Sequence, residues 1–362
     1  MQIKDVKNVF KVKGEYINYE VCEIGHINDT YILSFLENGK TVKYILQKMN
    51  TNVFKNPEYL MSNVQKVTKF LKKTILAQGG DPSRECLNLI DTVEGNAYFK
   101  DADGYWRMYL FIDNASSHQI AEDAEMFADA GNAFGKFISL LNDFPAEELF
   151  EVIADFHNTQ KRLEMFEKAL KADKVNRASG VTEQIEFVLQ RKNYCSKVVD
   201  ILGKELPLRV THNDTKLNNI MIDDQTNKSI CVIDLDTIMP GSLLYDFGDA
   251  IRSGCNTGLE DEQDLTKVDF DINLFESFAK GFLQGLGKNI TPKEVELLAF
   301  SAILMTYECG MRFLTDYLDG DNYFRVHYAT HNLVRAKTQF KLVLRMEQQL
   351  DKMNEIVRKY VK

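Results

Sequence analysis

The most informative stretch of this chain is Arg209-Val-Thr-His-Asn-Asp-Thr-Lys-Leu-Asn-Asn-Ile-Met-Ile-Asp223, which is followed by Cys231-Val-Ile-Asp-Leu-Asp236. Its β-branched runs predict short strands around residues 219–234, which are joined by a hairpin. A His-x-Asp-x4-Asn pattern alone would be common by chance. The same pattern between β-branched strands, with Ile-Asp-x-Asp shortly after it, is rare and predicts a functional site.

The residue types in this stretch are those that transfer of a phosphoryl group from ATP requires. One carboxylate orients and deprotonates the attacking hydroxyl group, and we predict this role for Asp214. An amide oxygen and a second carboxylate hold Mg²⁺ on the phosphates, which predicts Asn219 and Asp234 as metal ligands. Asp236 shares a strand face with Asp234, so it is either another metal ligand or a residue that orients the loop. His212 is predicted to shape the loop.

A second acidic motif, Tyr245-Asp-Phe-Gly-Asp249, contains the Asp-Phe-Gly triplet of protein kinases. Because Ile-Asp-Leu-Asp already occupies the predicted metal strand, we interpret Asp246 as a structural residue that caps a helix and bonds to loop amides. Arg252 either faces the substrate or pairs with Asp249. Lys216 either contacts the transferred phosphate or is a solvated cation.

These motifs resemble the catalytic core of the aminoglycoside phosphotransferase and choline kinase superfamily. Within it, four segments look like the N-acetylhexosamine 1-kinase family: Phe156–Arg162, Thr211–Asn219, Val232–Gly241 and Tyr245–Asp249. The resemblance implies phosphorylation of the anomeric hydroxyl of N-acetylglucosamine or N-acetylgalactosamine, with ATP as co-substrate and Mg²⁺ as cofactor. The residues alone indicate only a small-molecule kinase.

Composition limits the remaining function classes. A length of 362 residues predicts about two domains. The net charge of −9 and the lack of a long basic run argue against nucleic acid or an anionic membrane as partner. Six scattered cysteines and an N-terminus without an apolar signal region predict a reduced, cytoplasmic chain. We expect a monomer that binds only a small sugar and ATP.

The order of predicted elements is that of an α+β, bilobal protein-kinase-like fold. We place a small β-rich N-lobe at residues 1–112 and a larger, mostly α-helical C-lobe at residues 113–362. The N-lobe strands are predicted at Tyr19–Glu23, Thr30–Leu36, Thr41–Met49 and Trp106–Ile112, with turns at Asn38-Gly39 and Asp101–Gly104 and a helix from Pro57 to about Leu71. Apolar spacing predicts C-lobe helices near 121–141, 158–173, 181–202, 272–286, 292–318 and 323–360.

Nucleotide contacts are predicted from the N-lobe. The loop Gly25-His-Ile-Asn-Asp-Thr-Tyr31 resembles the segment that covers the phosphates in this superfamily, which makes Gly25, Asn28 and Thr30 candidate nucleotide ligands. His26 in the same loop is predicted to close over the sugar.

The cation that holds the ATP phosphates is an open question. Kinases place a lysine on the third strand for this purpose. Here Gln47 occupies that position, and the neighbouring Lys48 points to the opposite face, although both are candidate nucleotide ligands. The backbone near Phe111 and Ile112 is predicted to contact the adenine edge.

The sugar site is predicted on the helix near residue 312. A sugar requires several short polar groups and an aromatic surface. Glu308, Arg312 and Asp316 share one helix face, and Tyr323 supplies an aromatic ring, so all four are candidate substrate ligands together with Asp214. The alternative is an ordinary ladder of solvated ion pairs.

Two other functions are compatible with the sequence. Another small-molecule kinase of the same fold would act on an amino alcohol, homoserine or an aminoglycoside, and the acidic run Leu259–Asp264 keeps a polycationic acceptor open. A nucleotide-binding pseudokinase is supported only by the missing third-strand lysine. The intact Asp214, Asn219 and Asp234 argue against it.

Overall fold

A computed structural model describes residues 3–22 and 27–361 of the chain. The chain forms two compact units. The first unit comprises Met1–Ser117, Leu140–Ala154 and Asn219–Pro240, and the second comprises His118–Ser139, Asp155–Asn218 and Gly241–Lys362. The first unit thus includes two segments from the region that we assigned to the C-lobe. The lobe boundary after residue 112 stays a prediction.

The strands are short and lie mainly in the first third of the chain. In chain order they are β1 (Glu15–Cys22), β2 (Asp29–Glu37), β3 (Lys40–Lys48), β4 (Phe99–Asp101), β5 (Gly104–Leu110), β6 (Ala115–Ser116), β7 (Arg209–Thr211), β8 (Ile220–Asp223), β9 (Ser229–Val232) and β10 (Met239–Gly241).

The helices make up most of the remainder. In chain order they are α1 (Pro57–Ala77), α2 (Pro82–Glu85), α3 (Ala124–Leu140), α4 (Thr159–Ala172), α5 (Thr182–Gln190), α6 (Ser196–Val199), α7 (Leu243–Gly254), α8 (Ile272–Leu286), α9 (Pro292–Asp319), α10 (His331–Glu347) and α11 (Leu350–Tyr360). Helix α8 has the bounds that were predicted, 272–286. Helix α9 is one residue longer than the predicted helix at 292–318.

The first unit contains a five-stranded antiparallel sheet with strand order β1-β2-β3-β5-β4. The predicted hairpin between β2 and β3 is present, because Asn38 and Gly39 adopt φ values of 51° and 78°. One face of the sheet packs into a core that includes Leu33, Phe35 and Met108. A smaller sheet, β6-β8-β9, follows in the same unit.

The second unit is helical and is centred on α9, which packs against α4, α7, α10 and α11. By length and composition, α9 is the one helix among the described residues that would be able to cross a membrane. Of its most apolar window, 83% is buried inside the structure. A central core helix of a folded domain meets the same two criteria.

Two of the predicted helices are interrupted. The segment 181–202 forms α5, a single 3₁₀ turn and the short α6 rather than one helix. The segment 323–360 forms α10 and α11, and its first residues are a loop. This loop is held by the Asp316 carboxylate, which accepts hydrogen bonds from the backbone N–H groups of Asn322, Tyr323 and Phe324 at 2.9, 2.8 and 2.9 Å. Those amides are therefore engaged outside a helix.

Helices α3 and α8 approach each other through glycines. Gly131 and Gly135 on α3 face Gly281 and Gly285 on α8, and a Cβ atom added at any of the four would collide with the backbone of the other helix. At Gly131, for example, it would lie 2.5 Å from the carbonyl oxygen of Phe278. The contact requires residues without side chains, and the spacing of both pairs is visible in the sequence.

We predict that Gly281→Ala destabilises the protein. The added methyl group would force the two helices apart, and such overpacking costs about 1–3 kcal/mol or more. Urea unfolding monitored by circular dichroism measures the change. Gly180→Ala is the matched control, because a Cβ atom there meets nothing within 4 Å. An unchanged unfolding midpoint for Gly281→Ala would show that the helices are not in backbone contact.

Candidate active site

The loop that carries Asp214 begins where β7 ends. The Asp246 carboxylate, in the first turn of α7, accepts hydrogen bonds from the backbone N–H groups of His212 and Asn213 at 2.9 and 2.7 Å. Asn213 adopts a left-handed conformation with φ of 64°, which turns the chain sharply before Asp214. The structure therefore has the contact that we predicted between Asp246 and the loop amides.

His212 shapes the same loop from the inside. Its ring is fully buried and packs edge-on against Phe134 and Phe137, with centroid distances of 5.8 and 6.1 Å. The ring nitrogen Nδ1 accepts a hydrogen bond from the backbone N–H of Asp214 at 3.3 Å. These contacts fix the position of the Asp214 backbone, in agreement with the structural role predicted for His212.

The Asp214 side chain forms an ion pair with Lys216, whose Nζ lies 2.5 Å from one carboxylate oxygen. Burial lowers the pKa of Lys216, but Asp214 and Asp249 raise it more, so the net shift is upward. Arg252 pairs with Asp249 at 2.8 Å, which matches one of its two predicted roles. A small network of alternating charges therefore surrounds Asp214.

Asn219 and Asp234 lie at one end of the β8–β9 hairpin. The backbone carbonyl of Asn219 accepts a hydrogen bond from the N–H of Ile233 at 2.9 Å, which sets Asn219 beside the turn that begins at Asp234. Asp234 itself is left-handed, with φ of 58° and ψ of 61°. One hairpin thus presents both residues that we predicted as metal ligands.

The donor chemistry at this hairpin fits Mg²⁺, which prefers hard oxygen ligands and binds through one or two carboxylates plus substrate phosphates and water. Asn219 offers an amide oxygen and Asp234 a carboxylate. Within residues 3–22 and 27–361, no group of three or more His, Cys, Asp or Glu side chains is arranged as a metal cage. The assignment of Asn219 and Asp234 as metal ligands stays a prediction.

Asp236 is occupied by protein groups. One carboxylate oxygen pairs with Nη1 of Arg107 at 2.5 Å, and the other accepts a hydrogen bond from the side-chain amide of Asn28 at 2.7 Å. Of the two predicted roles of Asp236, these contacts favour orientation of the loop over metal binding.

The other predicted nucleotide residues fall into three groups. Thr30 and Gln47 are joined by a side-chain hydrogen bond of 3.1 Å. Lys48 lies over the ring of Trp106 at 5.8 Å, on the face opposite Gln47, as expected from strand alternation. The third is Gly25, which lies outside the described residues, as does His26, which is predicted to close over the sugar.

The predicted adenine contact comes directly after β5, which ends at Leu110, before Phe111 and Ile112. The N–H of Phe111 donates to the carbonyl of Lys43 at 3.1 Å. This amide therefore continues the pairing of the sheet, so an adenine contact would have to use other backbone groups of the segment. The adenine contact stays a prediction.

Glu308 and Asp316, both predicted to bind substrate, are buried and bonded within the second unit. Glu308 pairs with Nδ1 of His157 at 2.9 Å and accepts a hydrogen bond from the Thr159 hydroxyl at 2.5 Å. Burial raises the pKa of Glu308, but His157, Arg312 and Thr159 together lower it more, so the net shift is downward. Asp316 holds the loop after α9 and the side chain of Asn332. Because both are buried, the alternative of a solvated ion-pair ladder does not apply.

Arg312 has a different environment. Its guanidinium group lies among three aromatic rings, at 5.7 Å from Phe156, 5.9 Å from Tyr323 and 5.6 Å from Phe324. Within the described part of the chain, no carboxylate or carbonyl oxygen pairs with it. Tyr323 is 70% exposed, so this group of rings reaches solvent.

A family model described as the phosphotransferase enzyme family matches residues 19–298, which is more than half of the chain. The chain belongs to this family. The match includes the loop that carries Asp214, the β8–β9 hairpin and α7, so it covers every motif from Phe156 to Arg252.

Solved structures of low sequence identity share the fold of this phosphotransferase. A spectinomycin phosphotransferase in complex with ADP and spectinomycin is similar with a TM-score of 0.58 and 13% identity over 97% of each chain. A choline kinase from Cryptosporidium parvum Iowa II has a TM-score of 0.55 and 14% identity, over 97% of this chain and 94% of its own. An aminoglycoside phosphotransferase from Alicyclobacillus acidocaldarius has a TM-score of 0.58 and 12% identity over 93% of each chain. The predicted protein-kinase-like α+β fold is confirmed.

Two residues of this phosphotransferase, Arg107 and Arg162, were missed by the sequence reasoning, whereas His157 is interpreted from the sequence as a structural residue at a helix start. Arg107 is almost fully buried and pairs with Asp236. His157 and Arg162 each have a buried ring or guanidinium nitrogen, Nε2 and Nε, without a hydrogen-bond partner among the described residues. The Phe156–Arg162 motif contained the last two, but its spacing alone did not distinguish ligands from helix-start residues.

We predict that Asp246→Ala lowers the stability of this phosphotransferase. Loss of the carboxylate leaves two buried loop amides unpaired, which costs about 1.5–3 kcal/mol for hydrogen bonds to a charged group. Thermal unfolding measures the loss. Asp351→Ala, at an exposed position of α11, is the control and should change stability by no more than about 0.5 kcal/mol. Equal stability of the two variants would remove Asp246 as the anchor of the loop.

Proposed function

We propose that this phosphotransferase transfers the γ-phosphoryl group of ATP to the anomeric hydroxyl of N-acetylglucosamine or N-acetylgalactosamine. The observation that carries the sugar assignment is the environment of Arg312. A guanidinium that pairs with no acceptor oxygen of residues 3–22 and 27–361, and that lies among aromatic rings, offers the hydrogen-bond donors and the flat apolar surface that a sugar with an acetamide group requires.

The nucleotide half of the proposal rests on the catalytic motifs. Asp214, Asn219 and Asp234 are all present in the matched family region. The spectinomycin phosphotransferase of similar fold binds ADP, which supports ATP as the phosphoryl donor here. When bound, Mg²⁺ would neutralise negative charge on the phosphates, and Asn219 and Asp234 would hold it.

Asp214 has the central chemical role in this proposal. Its carboxylate accepts a hydrogen bond from the anomeric hydroxyl and directs the oxygen toward the γ-phosphorus. As the new O–P bond forms and the bond to ADP breaks, the hydroxyl proton passes to Asp214. Lys216, paired with Asp214, keeps this carboxylate oriented before the acceptor arrives.

The charges around Arg312 disfavour the alternative acceptors. Choline and aminoglycosides are cations, whereas Arg162 and Arg312 lie close enough for each to affect the other electrostatically. Two carboxylates of the acidic run that kept an aminoglycoside site open are already paired with protein cations. Glu260 pairs with Arg252 at 3.2 Å, and Asp261 pairs with His331 at 3.1 Å. A neutral sugar is therefore the better match.

We also propose that the enzyme works as a monomer in the cytoplasm. All six cysteines are free thiols, in keeping with a reducing compartment.

A substrate panel tests the proposed reaction. The protein is incubated with ATP, Mg²⁺ and either N-acetylglucosamine, N-acetylgalactosamine, choline, ethanolamine, homoserine or an aminoglycoside, and the phosphorylated atom is identified by ³¹P and ¹H NMR. We expect a sugar 1-phosphate with at least one N-acetylhexosamine. Phosphorylation of an amino alcohol or aminoglycoside alone would contradict the sugar assignment and keep the kinase assignment.

Asp214→Asn should lower turnover by about 10²-fold or more, because an amide still holds the hydroxyl but cannot take its proton. The fold and ADP affinity should be unchanged. Steady-state kinetics and calorimetry measure both, with the exposed Asp200→Asn as the control. Near-normal turnover in Asp214→Asn would exclude Asp214 as the base.

Arg312→Ala should lower kcat/KM for the sugar by about 10–150-fold and leave the KM for ATP nearly unchanged. The physical reason is the loss of charged hydrogen bonds to the acceptor. Kinetics with each substrate varied in turn measure the effect, and Arg325→Ala, an exposed arginine in the loop after α9, is the control. Equal sugar kinetics in both variants would place the sugar site elsewhere.

A further inference from the structure

The first unit contains a buried arginine beside the position where kinases carry their phosphate-binding lysine. Arg107 on β5 lies directly opposite Gln47 on β3, and Gln47 lies opposite Thr30 on β2. The three side chains therefore form one row across the sheet. Only 2% of the Arg107 side chain is exposed.

Two of the three guanidinium nitrogens of Arg107 are held by neighbours. Nε donates a hydrogen bond of 2.9 Å to the side-chain oxygen of Gln47, and Nη1 pairs with Asp236 at 2.5 Å. The third nitrogen, Nη2, donates no hydrogen bond to any of residues 3–22 and 27–361. Its two N–H groups therefore remain for a ligand.

The partners of Arg107 are themselves fixed. Gln47 donates to the hydroxyl of Thr30 at 3.1 Å, and that hydroxyl donates to the carbonyl of Asn28 at 3.4 Å. Asn28 in turn donates to the second oxygen of Asp236 at 2.7 Å. These bonds close a ring that joins Arg107 to the segment predicted to cover the phosphates.

Arg107 is a buried cation with an acidic partner. Burial lowers the pKa of Arg107, but Asp236 and, to a smaller extent, Asp234 raise it, so the net shift is upward. In the kinase template the lysine is paired with a glutamate of the following helix. Here the α1 residue next to Nη1 is Met61, with its sulfur at 4.0 Å, and Asp236 supplies the negative partner instead.

We propose that Arg107 binds the nucleotide phosphates through Nη2 and so replaces the lysine that is missing from the third strand. Gln47 and Asp236 are positioning residues that fix the orientation of the guanidinium, and Asp236 serves as its counter-ion. The ligand class is a nucleoside di- or triphosphate. This inference rests on the nucleotide half of the proposed function and is independent of the sugar.

The test measures affinity for ADP and for adenosine without metal, by calorimetry, and needs no turnover. The double variant Arg107→Met/Asp236→Asn removes the cation without leaving a buried carboxylate unpaired. We expect ADP to bind about 10-fold or more weakly and adenosine to bind within about 2-fold of the unmodified protein, because only ADP carries the phosphates. Lys40→Met, at the exposed start of β3, is the control and should leave both affinities unchanged.

A third substitution returns the cation to its usual strand. Adding Gln47→Lys to the double variant should restore most of the ADP affinity. If the double variant fails to fold, Arg107→Lys retains a charge beside Asp236, and its single ammonium group should still weaken ADP selectively. Equal losses for ADP and adenosine, or no loss for either, would overturn the proposal.

The outcome separates the two proposals. The affinity of the unmodified protein for ADP tests the nucleotide half of the proposed function, and the ratio between variant and unmodified protein tests Arg107. If the protein binds ADP but phosphorylates no N-acetylhexosamine, the sugar assignment is refuted. The conclusion about Arg107 is unaffected by that result.

Discussion

A guanidinium group inside a protein must be paired, because the cost of removing a charge from water is recovered only through close opposite charges and hydrogen bonds. In the first unit this requirement falls on Arg107. Its pairing with Asp236 and Gln47 links β3, β5 and the turn after β9, and Asn28 and Thr30 complete the ring. The position of the turn that carries Asp234 is thereby tied to the sheet.

In the second unit the buried charge that must be paired is negative, and it is the carboxylate of Asp246. Asp246 is 1% exposed, and burial raises its pKa, while backbone N–H groups of His212 and Asn213 favour the ionised form. The buried carboxylate of Asp246 thus fixes the loop that carries Asp214. In both units a loop that carries predicted site residues is held by a buried charge with specific partners, and such partners leave little freedom for alternative loop conformations.

Local signals in the sequence predicted those elements whose geometry is set locally. The β2–β3 hairpin followed from Asn38-Gly39, and α8 followed from apolar spacing. The single helix predicted at 323–360 was wrong because Asp316, seven residues before Tyr323, accepts backbone hydrogen bonds ahead of α10, a side-chain contact that apolar spacing does not reveal. Arg107 was missed because a charged residue in a strand is ordinarily read as solvent-facing, and its burial depends on the pairing of β3 with β5. No short sequence motif indicates the register in which β3 pairs with β5.

The identity of the acceptor atom is the central claim, and one comparison tests it directly. N-acetylglucosamine and its methyl glycoside differ only in the anomeric oxygen, which carries a hydrogen in the first and a methyl group in the second. With ATP and Mg²⁺ present, we predict ADP release with the free sugar and only background ADP release with the glycoside. Equal rates of ADP release with both compounds, together with phosphate found on another hydroxyl, would contradict the proposed reaction.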